Sequence, residues 1–421
     1  TGKTFTDLNI IAAHLLSKPE GDFRIALAAP TGKAARRLAE SLEAGKNNLP
    51  DKMQGEVQIP DSAQTVHKLL GSDFRGASFS FNEENPLPYD LVIIDEASML
   101  DMNMWVRLIR AIGSNTKLIV LGDKDQLASV EAGSILGDIC GGDNSFSDRI
   151  AKSISQIQGT NIPIVKDQPS INDCIVFLTK SYRFGENSGI QKFAAAVNES
   201  NPDLAIKILQ DSNLTDLNWL EPTSENMETI VRDYAVNHHA EFQKKPQDQR
   251  LSASNKKKIL CALRKGPFGV EQVNGKVESI IKRKHNILAG RIWYEGRIVM
   301  ATRNDALLRI RNGDIGIYTD KENGVIEFEG EEGQSLSANR LKDYEPAFAI
   351  TIHKSQGSEF DEVAVILSNR VNSVLSKEIL YTAVTRARKN TLIIVNEDVL
   401  RKTILRSVSR RSGLKEKIWG P

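Results

Sequence analysis

The stretch that most constrains this chain is LVIIDEASMLDMNM, Leu91 to Met104. Leu91 to Ile94 are consecutive apolar residues with no polar alternation, the pattern of a strand buried on both faces of a parallel sheet. They run straight into Asp95 and Glu96. Adjacent carboxylates at the carboxyl end of a buried strand cost desolvation energy unless they serve a ligand. In a nucleotide-hydrolysing α/β domain, that is where an aspartate holds Mg²⁺ and the next acid orients a water against a γ-phosphate. The plain alternative is a strand whose polar tail reaches solvent.

The start of the chain supplies a partner for this pair. Thr1-Gly2-Lys3-Thr4 matches the last positions of the phosphate-loop pattern G-x-x-x-x-G-K-[ST], without the first glycine and the strand before it, so the polypeptide is expected to be part of a longer one. Leu8, Ile11, Ala12, Leu15 and Leu16 recur at helical spacing, so Gly2, Lys3 and Thr4 open a helix whose N-terminus favours bound phosphate. Lys3 is expected on the β- and γ-phosphates of ATP, and the Thr4 hydroxyl on Mg²⁺ beside Asp95.

Two more strand ends extend the pattern. Phe23 to Ala29 read as a buried strand that turns at Pro30 into a helix, placing Thr31 and Lys33 where they can meet a phosphate of ATP or of a nucleic acid backbone. Lys117 to Leu121 read as a neighbouring strand ending in Gly122-Asp123-Lys124-Asp125-Gln126, so the Gln126 amide can report on a γ-phosphate. Between them, Thr65-Val66-His67-Lys68 follows a polar loop. Residues 72 to 88 carry Phe74, Phe79 and Phe81 among turn formers, a projecting hairpin whose aromatics stack on bases or fold onto their own surface. Residues 141 to 172 read as a surface insertion, and Ile175 to Lys180 as a strand leading to Arg183, which either reaches a ligand's phosphates or pairs with a surface acid.

A chain of 421 residues exceeds what one hydrophobic core usually serves, and a second α/β pattern begins near residue 185. It includes an acidic helix from Asn226 to His239, a charged loop from Gln243 to Lys258, a strand at 258 to 263 and a helix from Val270 to Lys284. From Arg291 to Tyr344 the pattern changes to short strands with glycine turns, read as a small inserted β-barrel on which Arg303, Arg309, Arg311 and Asn312 either form a phosphate track or are simply solvated. The α/β pattern resumes with a strand at 347 to 352 and Thr351-Ile352-His353-Lys354-Ser355-Gln356-Gly357-Ser358-Glu359. A helix from Glu378 to Arg388 then puts Thr382, Thr385 and Arg386 on one face, the way an arginine is presented to a γ-phosphate in a neighbouring domain. With 55 basic against 54 acidic residues, any contact with nucleic acid is local. Cys140, Cys174 and Cys261 are too dispersed for a zinc site or a disulfide framework and read as reduced thiols of a cytoplasmic protein; no apolar run is long enough to span a membrane.

In order, GKT, APTGKAA, TVHKLLG, DEAS, GDKDQL, SYRFG, TIHKSQGSEFD and YTAVTRAR resemble the motif series of superfamily 1 DNA helicases, and most closely the RecD family, the alpha subunits of RecBCD-type exodeoxyribonuclease V. The resemblance runs from Thr1 to Gly413. It implies an α/β fold of two tandem RecA-like P-loop domains, residues 1–184 and residues 185–290 with 345–421. The hairpin at about 72–88 and an SH3-like β-barrel at 291–344 are the implied insertions. It further implies ATP and Mg²⁺ between the domains, with Lys3, Asp95, Glu96, Gln126, Arg183 and Arg386 as catalytic residues. Gly2, Thr4, Gly357 and Glu359 join them in holding the nucleotide, and Thr31, Lys33, Thr65, His67, Thr351, His353 and Lys354 lie along single-stranded DNA. The family moves 5′ to 3′ with RecB-like and RecC-like partners on duplex ends in double-strand break repair by recombination. No run of acids suggests a nuclease site here. A nucleotide-switched regulatory subunit that binds DNA without motor activity is the competing expectation.

Overall fold

The computed structural model describes residues 3–17, 23–45, 60, 62–72, 78–128, 134–159, 161–165, 169–179, 184–185, 187–305, 307–321, 324–329, 335–408 and 412–420; for 3–5, 7 and 15–17 only the backbone is described. The chain divides into two compact units, one formed by Thr1–Arg183 with Ser409–Pro421, the other by Phe184–Val408.

Unit 1 is built on a parallel sheet of β1 (Ile25–Ala29), β2 (Gln64–Thr65), β3 (Leu91–Ile94) and β4 (Lys117–Val120), in the order β2-β1-β3-β4. Strand periodicity sorts the side chains of β1 and β3 onto two faces. Leu27, Leu91 and Ile93 pack with Leu8, Ile11, Leu38 and Leu42, from the helices Lys3–Ser17 and Gly32–Gly45. Ala26, Ala28, Val92 and Ile94 pack with Met104, Trp105, Leu108 and Ala111 of the helix Met102–Ala111. Because both faces are covered, every residue of β3 is buried, which is why its sequence carries no polar alternation.

One expectation fails in this unit, and one pair of alternatives is decided. Residues 175–179 form no strand, and a short 3-10 turn, Ser170–Cys174, occupies the segment before them. Of the expected hairpin the described part is one antiparallel bridge, Ser72 to Phe79. Its aromatics do not project: Phe79 and Phe81 pack against the Trp105 cluster, and the Arg107 guanidinium covers the Phe79 ring at 4.4 Å. Phe74 lies outside the described residues.

Unit 2 holds a second parallel sheet, β12-β6-β13-β14-β5, comprising β5 (Leu217–Leu220), β6 (Lys257–Cys261), β12 (Ala349–Thr351), β13 (Phe360–Ile366) and β14 (Ala387–Ile394). Between β6 and β12 the chain makes an antiparallel five-stranded sheet in the order β10-β9-β8-β7-β11, from β7 (Ile298–Ala301), β8 (Ile315–Thr319), β9 (Val325–Phe328), β10 (Ser335–Ser337) and β11 (Tyr344–Pro346). The segment read as a charged loop contains a helix, Gln247–Ser254, whose only fully buried side chains are Leu251 and Ser254; one apolar anchor leaves too weak a periodicity to see. The helix expected from Glu378 to Arg388 is shorter, Lys377–Val384, and the chain is already in β14 by Ala387.

The acidic helix contains a π-type turn, Tyr234–His238, between Ser224–Asp233 and His239–Gln243. It buries two consecutive histidines against Tyr234, Phe242 and Phe348. Burial holds the imidazole of His238 down to about pKa 4, with Lys258 and Lys257 acting in the same direction against the Ser254 carbonyl and Asp233. Burial, then His285, holds His239 down to about 3. Among the described residues no helix is long and apolar enough to cross a membrane.

These histidines set a pH dependence. Above the unfolded value of about 6.5 both are neutral folded or unfolded; below it the unfolded chain binds protons that the folded chain refuses, so stability is lost as pH falls toward 4 and 3. Between pH 7.5 and pH 5 each should cost roughly 2 kcal/mol. Urea midpoints at the two pH values, for wild type and for His239→Phe, check this: the variant should lose less stability on acidification.

Candidate nucleotide and nucleic-acid site

In unit 1 parallel pairing brings several loops to one edge. Ala28 pairs with Ile94 and Ile94 with Val120, so the carboxyl ends of β1, β3 and β4 lie level. The backbone continues the alignment past the strands: Asp95 N–H donates to the Ala28 carbonyl (2.9 Å), Leu121 N–H to that of Ile94 (2.8 Å), and Ala97 N–H to that of Leu121 (2.9 Å). Thr31, Asp95, Glu96 and the 121–126 turn are therefore collected at one rim, the place where α/β sheets take ligands.

Each turn there is locally determined. Asp95 accepts the Glu96 N–H at 2.7 Å through Oδ1. Glu96 stands at φ 52° and ψ 36°, a left-handed conformation uncommon for a side chain without a local turn role, and it opens the short turn Ala97–Met99. Asp123 organises the next loop, accepting the Asp125 N–H through Oδ1 (3.1 Å) and the Gln126 side-chain amide through Oδ2 (3.1 Å). Gln126 is thus held at the strand end and is largely buried. Gly122 is required by close approach: a side chain there would meet Leu136 and the backbone nitrogens of Ser98 (3.3 Å) and Ala97 (3.5 Å). Leu136 belongs to the helix Ile135–Ile139, which supports both turns.

Of the phosphate-loop candidates, Gly2 lies outside the described residues. Lys3 and Thr4 start the helix Lys3–Ser17, their side chains being outside that description. Thr31 caps its helix, its hydroxyl accepting the Ala34 N–H at 3.2 Å, and Lys33 follows one residue inside. Arg183 lies outside the described residues.

The two units share a detail. Thr65 ends the edge strand β2, which pairs only with β1, and its hydroxyl accepts the Lys68 N–H (3.2 Å). Thr351 ends the edge strand β12, which pairs only with β6, and its hydroxyl accepts the Lys354 N–H (3.3 Å). Thr-Val-His-Lys and Thr-Ile-His-Lys therefore make the same threonine-to-lysine hydrogen bond, ahead of an α-helical turn (Val66–Leu69) in one unit and a 3-10 turn (His353–Ser355) in the other, and the repeated Thr-x-His-Lys is its sequence signal. His67 is exposed and 6.2 Å from the Phe79 ring. His353 and Lys354 lie in the turn His353–Ser355, and the Lys354 ammonium lies 3.5 Å from both the Glu345 carboxylate and the Asn312 side chain of the antiparallel sheet.

The run from Thr351 to Glu359, continuous in sequence, is split in space. Thr351 is level with Cys261 and, through it, with Ile366, whereas Glu359 immediately precedes Phe360 at the opposite end of β13. Six residues along a strand separate the two levels by about 20 Å. Gly357, at φ 70°, lies within the return. At the far edge the structure assembles a different group. Arg388 Nε donates to Glu359 at 3.0 Å, and the Arg386 guanidinium donates to the carbonyls of Thr382 (3.1 Å) and Ser358 (3.2 Å). Arg386 is therefore not on the exposed face of a helix. It follows the helix C-terminus and is 3% exposed, while the exposed arginine is Arg388. Among the described residues Arg386 has no ion-pair partner. A buried guanidinium bonded to neutral carbonyls still favours an anion.

For a cation the described donors fit Mg²⁺ better than a protein-only cage. No group of three or more His, Cys, Asp or Glu is gathered among them, and a strand-end aspartate suits an ion that takes its remaining ligands from phosphate and water.

Two family profiles match the chain: the AAA domain over residues 1–132 and the UvrD-like helicase C-terminal domain over residues 346–394. RecBCD enzyme subunit RecD of Buchnera aphidicola is 34% identical over 97% of this chain and 71% of its own length. The ATP-dependent RecD2 DNA helicase of Deinococcus radiodurans is 28% identical over 86% of this chain and 42% of its own. A Pif1 helicase from Bacteroides, solved with ADP-AlF3 and single-stranded DNA, aligns at 18% identity and a TM-score of 0.45, covering 96% of this chain and 88% of that one.

The packing at Gly122 yields a test. Gly122→Val should destabilise unit 1 by about 1–3 kcal/mol through overpacking against Leu136. Adding Leu136→Ala should recover part of that loss, although alone it destabilises. Denaturation midpoints of the two single variants and the double variant measure the coupling, and strict additivity would contradict the contact.

Proposed function

Because the chain belongs to the RecD family, matching a RecD subunit at 34% identity over 97% of its length, we propose that it is the motor of an ATP-dependent DNA helicase. That match carries the reading, and the rim holding Asp95, Glu96 and Gln126 supplies its chemistry. Lys3 and the start of its helix bind the β- and γ-phosphates, with Thr4 and Asp95 as the residues that hold Mg²⁺. The ion supplies charge neutralisation between the phosphates when bound. Glu96 takes a proton from the attacking water, and Gln126, held by Asp123, contacts the γ-phosphate or that water. Arg386 brings to unit 2 a desolvated cation without a carboxylate partner, suited to the charge that develops on the transferred phosphoryl group; Arg183 is its second arginine, and Gly357 and Glu359 complete the nucleotide contacts.

The paired threonine turns serve as two grips on a single DNA strand, with Thr31, Lys33, Thr65 and His67 in unit 1 and Thr351, His353 and Lys354 in unit 2. ATP-dependent change in one grip relative to the other converts turnover into 5′ to 3′ movement. The domain assignment that goes with this is two RecA-like domains, 1–184 and 185–290 with 345–421, the insertion at 291–344 being SH3-like. The setting is a cytoplasmic RecBCD-type complex with RecB-like and RecC-like subunits, acting on duplex ends in recombinational repair.

In the full-length protein, Lys3→Gln should remove ATP hydrolysis stimulated by single-stranded DNA, and Arg386→Ala should lower kcat about a thousandfold while ATP still binds. Steady-state ATPase assays with and without an oligonucleotide decide this. Retained turnover in Lys3→Gln would falsify the site, and a wild type indifferent to DNA would indicate a nucleotide-switched binding subunit instead. Replacing His67 and His353 together by alanine should weaken oligonucleotide binding while leaving DNA-free hydrolysis unchanged.

A further inference from the structure

The two Thr-x-His-Lys turns differ in what stands beside the lysine. In unit 1, Lys68 is exposed, and among the described residues its ammonium has no acid partner. In unit 2, Lys354 is partly buried and its ammonium faces Glu345 Oε1 at 3.5 Å and the Asn312 side-chain oxygen at 3.5 Å. Glu345 is the middle residue of β11, and the β11–β7 register sets it opposite Met300. Its other oxygen, Oε2, accepts from Arg264 Nη2 at 2.8 Å, and Arg264 Nε donates in turn to Glu271 at 3.3 Å. The carboxylate is therefore clamped through the shorter bond and offered to Lys354 through the longer one.

In this cluster two cations face two carboxylates, so a phosphodiester arriving at Lys354 meets no net positive charge. Phosphate contacts carry the salt-dependent, sequence-independent part of nucleic-acid binding, and a lysine already neutralised contributes less to it. We propose that Glu345 competes with the DNA backbone for Lys354 and so makes the unit 2 turn the weaker of the two grips. This rests on the DNA reading of the turn from Thr351 to Lys354. The inserted sheet then supplies the carboxylate that lowers affinity, a role separate from any contact of its own with DNA. A purely structural tie does not account for the Lys354 contact. The sheet is already held to the body of unit 2 by Arg264 on Glu345, by the Asn274 amide on the Pro346 carbonyl (2.7 Å) and by Arg297 on Glu278 (2.7 Å). A further contact at 3.5 Å, to a flexible ammonium, adds little to those bonds and is weak enough to be exchanged for a phosphate.

The test measures binding of a labelled single-stranded oligonucleotide to the full-length protein, without nucleotide, by fluorescence anisotropy over a series of salt concentrations. Glu345→Gln keeps the shape of the side chain and an oxygen for Arg264, so the fold is preserved. It should tighten binding about fivefold at low salt and steepen the plot of log Kd against log salt by about 0.7, the signature of one more phosphate contact. Lys354→Gln should weaken binding by about twofold at most in the wild-type background, and in the Glu345→Gln background it should reverse the gain. Unchanged or weaker binding in Glu345→Gln overturns the competition. So does a gain that survives in the Lys354→Gln background, since that is a general effect of charge and not one exerted through the lysine. If removing Lys354 costs nothing in either background, the DNA reading of the turn fails; if it costs affinity while Glu345→Gln gains none, only the competition fails.

Discussion

The interaction on which the rest of the structure depends is the backbone register of β1, β3 and β4. Parallel pairing fixes which residues come level, and three hydrogen bonds beyond the strand ends carry that alignment into the loops. Asp95, Glu96 and Gln126 need no contact with one another to be neighbours; the sheet makes them so. A slip of one residue in β3 would reverse which of its side chains face the Leu8 helix and which the Trp105 helix. The apolar pattern that buries the sheet therefore also aims the carboxylates.

Charge and geometry are divided differently in the two units. In unit 1, Thr31, Thr65, His67, Asp95, Glu96 and Gln126 all follow carboxyl ends of strands. In unit 2 the candidates part company, Thr351 to Lys354 at one edge and Glu359 with Arg386 at the other. On the proposed assignment, that separation would keep a contact with a polynucleotide and a contact with a triphosphate from competing for one surface. It also gives the antiparallel sheet a place, since Asn312 and Glu345 approach Lys354 but no described contact ties them to Arg386.

Much of this was legible in the sequence where burial imposes a strong pattern. LVII could hardly be anything but a central strand, and the helix Val270–Lys284 has the limits its apolar period gives it. Legibility failed where the pattern was weak or where folding reused a residue for another purpose. Residues 175–179 are apolar enough for a strand, but the Asn144 side-chain amide takes the N–H and the carbonyl of Phe177 that a neighbouring strand would use. The sequence leaves Phe79 either offered to a base or folded onto its own surface, and packing under Arg107 makes it the second. YTAVTRAR has helical spacing throughout, yet the helix stops at Val384 because β14 recruits Ala387 beside Phe360. Nothing local could show that residues 412–419 leave the sheet they follow, since the partners of Ser412 and Trp419, which are Asp138, Gly141 and Gly142, lie more than two hundred positions earlier.

The return of the chain to unit 1 has a consequence for biosynthesis. Thr1–Arg183 emerges from the ribosome before Phe184–Val408 and lacks Leu414 and Trp419 until all of that unit has been made. At about 5–20 residues per second the delay is on the order of ten seconds to most of a minute. The packing of Trp419 on Gly141 and Gly142 is therefore timed by the completion of the unit inserted into unit 1.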